Sequence, residues 1–128
     1  MDILKYLGFS YFKDSINSIQ NKGIELPFTI SNHGVLKYDE NTIFIIGGDQ
    51  NGLVSNKTWI VNPKNEFEIK EGPKLNHKRS EFSYGTMRTN AGKLLLVVAG
   101  GYGEMFGEIL NTVEILDPTS DQGWIIGM

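Results

Sequence analysis

The sequence predicts an all-β chain built from repeated units of four short antiparallel strands. Three observations carry this. An apolar run closing on a glycine pair occurs twice, as Ile43-Phe44-Ile45-Ile46-Gly47-Gly48 and as Leu94-Leu95-Leu96-Val97-Val98-Ala99-Gly100-Gly101, with Gly48 and Gly101 53 positions apart. Each pair leads through a polar loop to a β-rich run that ends on an Asx-Pro step, at Asn62-Pro63 and Asp117-Pro118. These prolines are 55 positions apart, so the second loop is two residues longer. An aromatic follows each step, Phe67 in the first copy and Trp124 in the second. A period near fifty residues made of short strands marks stacked β-units rather than a single catalytic motif.

The elements follow in order. Val35–Tyr38 reads as a short strand, and Asp39-Glu40-Asn41 turns it into Thr42–Ile46. That second run is β-branched and aromatic with almost no polar interruption, as expected of a central strand covered on both faces. Gly47-Gly48 stops it, and 49–55 reads as a polar loop. Lys57–Asn62 is the third strand, ended by Pro63, which cannot continue a ladder. Glu66–Lys70 is the fourth, with Phe67 and Ile69 alternating with charge, and Gly72-Pro73 closes the unit. The next unit runs through Phe82–Met87, a turn at Asn90-Ala91-Gly92, a second buried strand Leu94–Ala99, a loop Tyr102–Leu110, Thr112–Leu116 and a last strand around Trp124–Ile126. A single sheet with two apolar faces cannot bury both alone. It must stack on copies of itself, which points to a β-propeller. Residues 1–23 have no clean period and read as the remnant of an earlier unit, with a short leader helix as the alternative.

Composition narrows the function classes. The chain has 128 residues and a formal charge of −3, which gives no electrostatic reason to expect nucleic acid or an anionic membrane as partner. Lys74, His77, Lys78 and Arg79 form its one basic cluster. Zero cysteines exclude disulfides, thiolate zinc sites and cysteine nucleophiles. Met1–Lys5 lacks the layout of a signal peptide and no apolar run reaches spanning length, so a cytoplasmic location is the expectation. His33 and His77 have no partner at metal-ligand spacing, and no metal or cofactor is expected. Gly101-Tyr102-Gly103 after a strand imitates a dinucleotide loop, but position 106 is Phe and no helix follows to bind a pyrophosphate.

Taken together, these residues resemble a kelch repeat. The resemblance covers residues 24–128, as one repeat at 24–80 and a second, C-terminally truncated, at 81–128. Its signature here is Gly47, Gly48, Pro63 and Phe67 in the first copy and Gly100, Gly101, Pro118 and Trp124 in the second. Departures are Phe67 in place of Trp, Val61 and Leu116 in place of Tyr, and Ile30 where Arg79 stands one unit later. The resemblance implies an all-β kelch β-propeller segment of about two four-stranded blades plus a partial one. Because such propellers need more blades, the chain is expected to be a piece of a longer protein, or to need the remaining blades from another chain.

By the same resemblance, the expected role is a non-enzymatic protein–protein interaction module. A substrate-recognition part of a ubiquitin-ligase adaptor is one such arrangement. The candidate rim residues for a protein partner or peptide are Asp49, Asn51, Arg79, Ser80, Tyr102 and Glu104. The alternatives are part of a kelch-fold propeller enzyme, of sugar-acid isomerase or oxidase type, or an actin-binding structural propeller. An enzyme would need matching polar residues in both repeats, and Arg79 against Ile30 gives no match. No catalytic residue is expected.

Overall fold

A computed structural model describes residues 29–65 and 68–127. The segment 1–23, the first residues of the repeat beginning at 24, and Phe67 lie outside the described residues. The described chain is all-β, with eleven strands and no helix. One four-stranded sheet comprises β2 (Gly34–Asp39), β3 (Thr42–Ile46), β6 (Thr58–Asn62) and β7 (Glu68–Glu71), in that spatial order. The other comprises β8 (Ser83–Arg88), β9 (Leu94–Ala99), β10 (Val113–Leu116) and β11 (Ile125–Gly127), again in sequence order. A small third sheet joins β1 (Ile30–Ser31), β4 (Asp49–Gln50) and β5 (Leu53–Val54). All pairings are antiparallel.

Local chemistry sets the ends of these strands. The Asn41 amide donates to Asp39 Oδ1 at 2.8 Å, closing the β2–β3 turn. At the two Asx-Pro steps the Lys64 amide donates to Asn62 Oδ1 at 3.0 Å and the Thr119 amide to Asp117 Oδ1 at 2.9 Å. The side chain thereby replaces the ladder that proline interrupts. The 49–55 segment, expected as a plain polar loop, instead folds back as the β4–β5 hairpin.

The two large sheets pack face to face. Leu36, Phe44 and Ile46 of the first, with half-buried Tyr38 and Ile60, form one cluster with Leu96, Val98, Leu116 and Trp124 of the second. Leu75 and Phe82 join it from the connection between sheets. The opposite face of β3 is buried as well, through Ile43 and Ile45, so that strand is covered on both sides as its composition suggests. Strand β9 departs from that expectation. Leu96 and Val98 are fully buried, whereas Leu95, Val97 and Ala99 stay half-buried on a face that no described sheet covers.

Hydrogen bonding equates the two units residue by residue. Gly47 N–H donates to Lys57 O and Gly100 N–H to Thr112 O, at 2.9 and 3.0 Å. Ser31 pairs with Asp49 in β1–β4, and Ser80 pairs with Tyr102 in an isolated bridge. Asn32 and Glu81, one residue past each serine, both take left-handed backbone, with φ of 54° and 52°. The equivalence fixes the stacking sense. The face of the first sheet that meets the second carries Phe44, Ile46 and Ile60, and its counterparts are Val97, Ala99 and Ile115 on the outward face of the second.

The second glycine of each pair explains why it recurs. Gly48 has φ +83°, and a Cβ there would lie 2.5 Å from Ser31 O. Gly101 has φ +90°, and its Cβ would lie 2.5 Å from Ser80 O. Gly107 has φ +75° but open space around it. Gly101→Ala therefore costs roughly 3 kcal/mol or more, combining left-handed strain with backbone overlap, and Gly107→Ala only about 1 kcal/mol. Urea denaturation of both variants measures the difference, and equal losses would remove backbone crowding as the reason for the pair.

Candidate functional site

The connection between the sheets, 72–81, is bound to both. On the first-sheet side the Gly48 amide donates to Arg79 O at 2.8 Å, the Leu75 amide to Asn56 O at 2.8 Å, and the Arg79 amide to Ser55 O at 3.2 Å. On the second-sheet side the Arg79 guanidinium is fully buried. Its Nη1 donates to Gly100 O and Thr112 O, and its Nη2 to Thr112 Oγ1 and to Glu114 Oε2 at 2.9 Å. Glu114 is equally buried, and its carboxylate also accepts from the Asn76 amide at 2.6 Å, Asn76 Nδ2 at 3.0 Å and the His77 amide at 3.0 Å. Every Glu114 oxygen thus has at least two donors, which is what a buried carboxylate requires. Trp124 completes the clasp, donating Nε1–H to Pro73 O at 3.0 Å while its own carbonyl accepts from Asn76 Nδ2 at 2.8 Å.

The six candidate rim residues divide into two groups. Arg79 and Ser80 are buried, at 0% and 4% exposure, and the basic cluster 74–79 is split between burial and surface pairs. Asp49 and Asn51 on one loop occupy places equivalent to Tyr102 and Glu104 on the other, each loop following a glycine pair. Asp49 accepts from Asn32 Nδ2 at 2.9 Å, and Asn51 Oδ1 accepts from Thr29 Oγ1 at 3.1 Å. Tyr102 is about half exposed, and Glu104 pairs with Lys78 at 3.1 Å. Between the second loop and the clasp lies a groove of about 270 Å³ lined by His77, Lys78, Glu104, Met105, Glu108 and neighbouring side chains. Among the described residues, no group of three His, Asp or Glu is placed to hold a metal ion, and no helix is long and apolar enough to cross a membrane.

Of the repeat signature, Gly47, Gly48, Gly100 and Gly101 sit at the strand exits, Pro63 and Pro118 follow β6 and β10, and Trp124 is in the inter-sheet core. Glu114 was missed by sequence reasoning. Its signal was a lone carboxylate in Val113-Glu114-Ile115-Leu116, two residues before a core leucine and therefore on the core face.

Three titratable groups are shifted among the described residues: the hydrogen bond from the Lys37 ammonium holds the exposed Glu40 carboxyl below its ordinary value, and the other two shift for distinct reasons. Burial lowers the His33 imidazole to about 4, and its Nδ1 has no hydrogen-bond partner among the described residues. The Asp117 carboxyl, at the surface, is held at about 2 by the Thr119 hydroxyl, the Lys93 ammonium and the Thr119 amide.

Arg79→Met leaves a buried carboxylate without its counter-charge and costs about 3–5 kcal/mol in urea denaturation. Adding Glu114→Gln recovers at least about 1 kcal/mol of this, and strict additivity would exclude direct coupling. For His33, the unfolded chain binds more protons than the native one between about pH 6.5 and pH 4. This stability is therefore complete above the unfolded value and declines as pH falls, by up to about 3 kcal/mol at about 1.4 kcal/mol per pH unit. His33→Phe, which installs the residue that Phe82 provides at the matching place, flattens that slope. An unchanged pH profile would show that His33 is not the group responsible. No family model and no curated protein matches the chain.

Proposed function

We propose that this chain is a segment of a kelch-type β-propeller that acts as a non-enzymatic protein-recognition module, with the partner seated on the loops after the two glycine pairs. The observation that carries the reading is a constant frame bearing unlike loops. Ser55 N–H to Gly48 O and Leu110 N–H to Gly101 O close the two loops with the same bond, at 2.8 and 2.9 Å. Upon that frame the first loop presents Asp49 and Asn51, and the second Tyr102 and Glu104. A frame that fixes the backbone and leaves loop side chains free to differ is suited to binding.

The stacking sense supports the propeller half of the reading. Val97, Ala99 and Ile115 occupy the places of Phe44, Ile46 and Ile60, which pack on a neighbouring sheet. A further blade, from the same chain or another, is the partner for that outward face. Rim binding of a protein or peptide does not require a further blade, because the first loop is held by Ser31 and Thr29 and the second by Ser80 and Lys78, all within the described residues.

The test is affinity capture with the 128-residue chain and with an Asn51→Gly, Tyr102→Ala, Glu104→Ala variant, glycine being chosen because residue 51 has φ 52°. The variant loses the proteins held by the wild type while its thermal midpoint stays within about 2 °C, as expected for surface substitutions. Retention of the same proteins by a folded variant sinks the rim as the binding surface.

A further inference from the structure

The two loops differ in length by two residues, and the β-pairing shows which two. In the first, Asp49 pairs with Val54 and Gln50 with Leu53, leaving Asn51-Gly52 as the tip. In the second, Tyr102 pairs with Ile109 and the Gly103 amide donates to Glu108 O at 3.0 Å, leaving Glu104-Met105-Phe106-Gly107. Gly52 and Gly107 match, with φ of +83° and +75°. Asn51 and Glu104 match too, since Asn51 is bonded to Thr29 and Glu104 to Lys78, residues that each lie two positions before the equivalent serines. The inserted pair is Met105-Phe106.

The frame does not need this pair, because the first loop closes without it. Nor does the insertion serve the core. Met105 is 69% exposed and Phe106 is fully exposed, making it the most exposed large apolar side chain among the described residues. The Glu108 amide donates to Met105 O at 2.9 Å, so the tip is a closed turn that holds the ring outward. Glu104 and Glu108 bracket the pair; Lys78 balances Glu104 at 3.1 Å, so Glu108 leaves the tip with a net negative charge, and the loop 102–110 itself contains no cation.

We propose that Met105-Phe106 is a docking anchor that inserts into an apolar hollow on a protein partner whose rim carries Lys or Arg. The proposal rests on the rim-recognition reading and names the part of that rim that binds most strongly. An aromatic offered on a closed turn loses little conformational freedom on binding, and such residues dominate interface energetics when enclosed. The net negative charge that Glu108 leaves at the tip selects the charge of the partner's rim and disfavours an anionic bilayer.

The experiment uses the full chain, a variant lacking Met105 and Phe106, and the triple rim variant. A photo-reactive phenylalanine analogue replaces Phe106, or Leu53 as the control on the shorter loop. The expected result has three parts. The deletion variant keeps its thermal midpoint and binds the captured protein about 30-fold or more weakly. The cross-link from position 106 maps to apolar residues flanked by Lys or Arg, and the control at position 53 does not reach them. Raising salt from 50 to 500 mM weakens the wild type more than a Glu104→Gln, Glu108→Gln variant. If the deletion binds as the wild type does while the triple variant does not, the anchor is overturned and rim recognition stands. If neither variant loses binding, both readings fail. Deletion-sensitive binding to phosphatidylcholine vesicles with 30% phosphatidylserine, without protein capture, overturns a protein partner in favour of a membrane.

Discussion

The structure depends on one buried ion pair. Arg79 and Glu114 have no solvent exposure, and together they gather six carbonyl, hydroxyl and amide groups from the second sheet and the connection that precedes it. Two desolvated charges are a net gain only when their remaining hydrogen-bonding capacity is used. Here Asn76 and His77 supply amides to the carboxylate, and Gly100 and Thr112 supply acceptors to the two terminal guanidinium nitrogens, while Arg79 Nε has no partner among the described residues. The pair thus converts an irregular connection, which has no ladder of its own, into a fixed spacer between sheets. The main-chain bond from Gly48 to Arg79 O carries the same order back to the first unit.

The first unit offers a physical contrast. Matching the frames places Ile30 where Arg79 stands and Trp59 where Glu114 stands. Ile30 is 1% exposed, so the same position can be filled by an apolar side chain. A buried salt bridge and a hydrophobic pair of similar volume are near-equivalent in stability. What the charged version adds is direction, since guanidinium and carboxylate each accept only one geometry of partners. This agrees with the placement of the charged version at the junction between the two large sheets.

Much of the fold was legible in the residues. β3 was readable because Thr42–Ile46 is uninterrupted and β-branched, and the turns because Asx-Pro and paired glycines each demand a particular backbone. The burial of β9 was not legible, because Leu94–Ala99 is as apolar as β3 while coverage of its outer face depends on what stacks there. The β4–β5 hairpin escaped notice since two-residue strands leave no period to detect. At the site, the sequence placed the two loops at equivalent positions but also offered Arg79 and Ser80 as rim candidates, with a blade-to-blade hydrogen-bonding role as the alternative for Arg79. Composition alone cannot separate an arginine that reaches solvent from one that turns inward to meet a carboxylate 35 positions later. The loop-length difference was visible, but assigning it to Met105-Phe106 needed the pairing of Tyr102 with Ile109.

The contact between the large sheets joins unlike faces. Phe44 and Ile46 meet Leu96 and Val98, and the residues equivalent to Phe44 and Ile46 point away on the far side. Such head-to-tail association has no two-fold axis, so it has a polarity and no intrinsic stopping number. The rotation from one sheet to the next decides between a ring and an open stack, and the connection 72–81, clamped at both ends, is what sets that rotation. Gene duplication acting on this architecture lengthens the array without inventing a new contact, because every added unit brings one face of each kind. Selection can then change the loops of any one unit while leaving the repeat that carries it untouched.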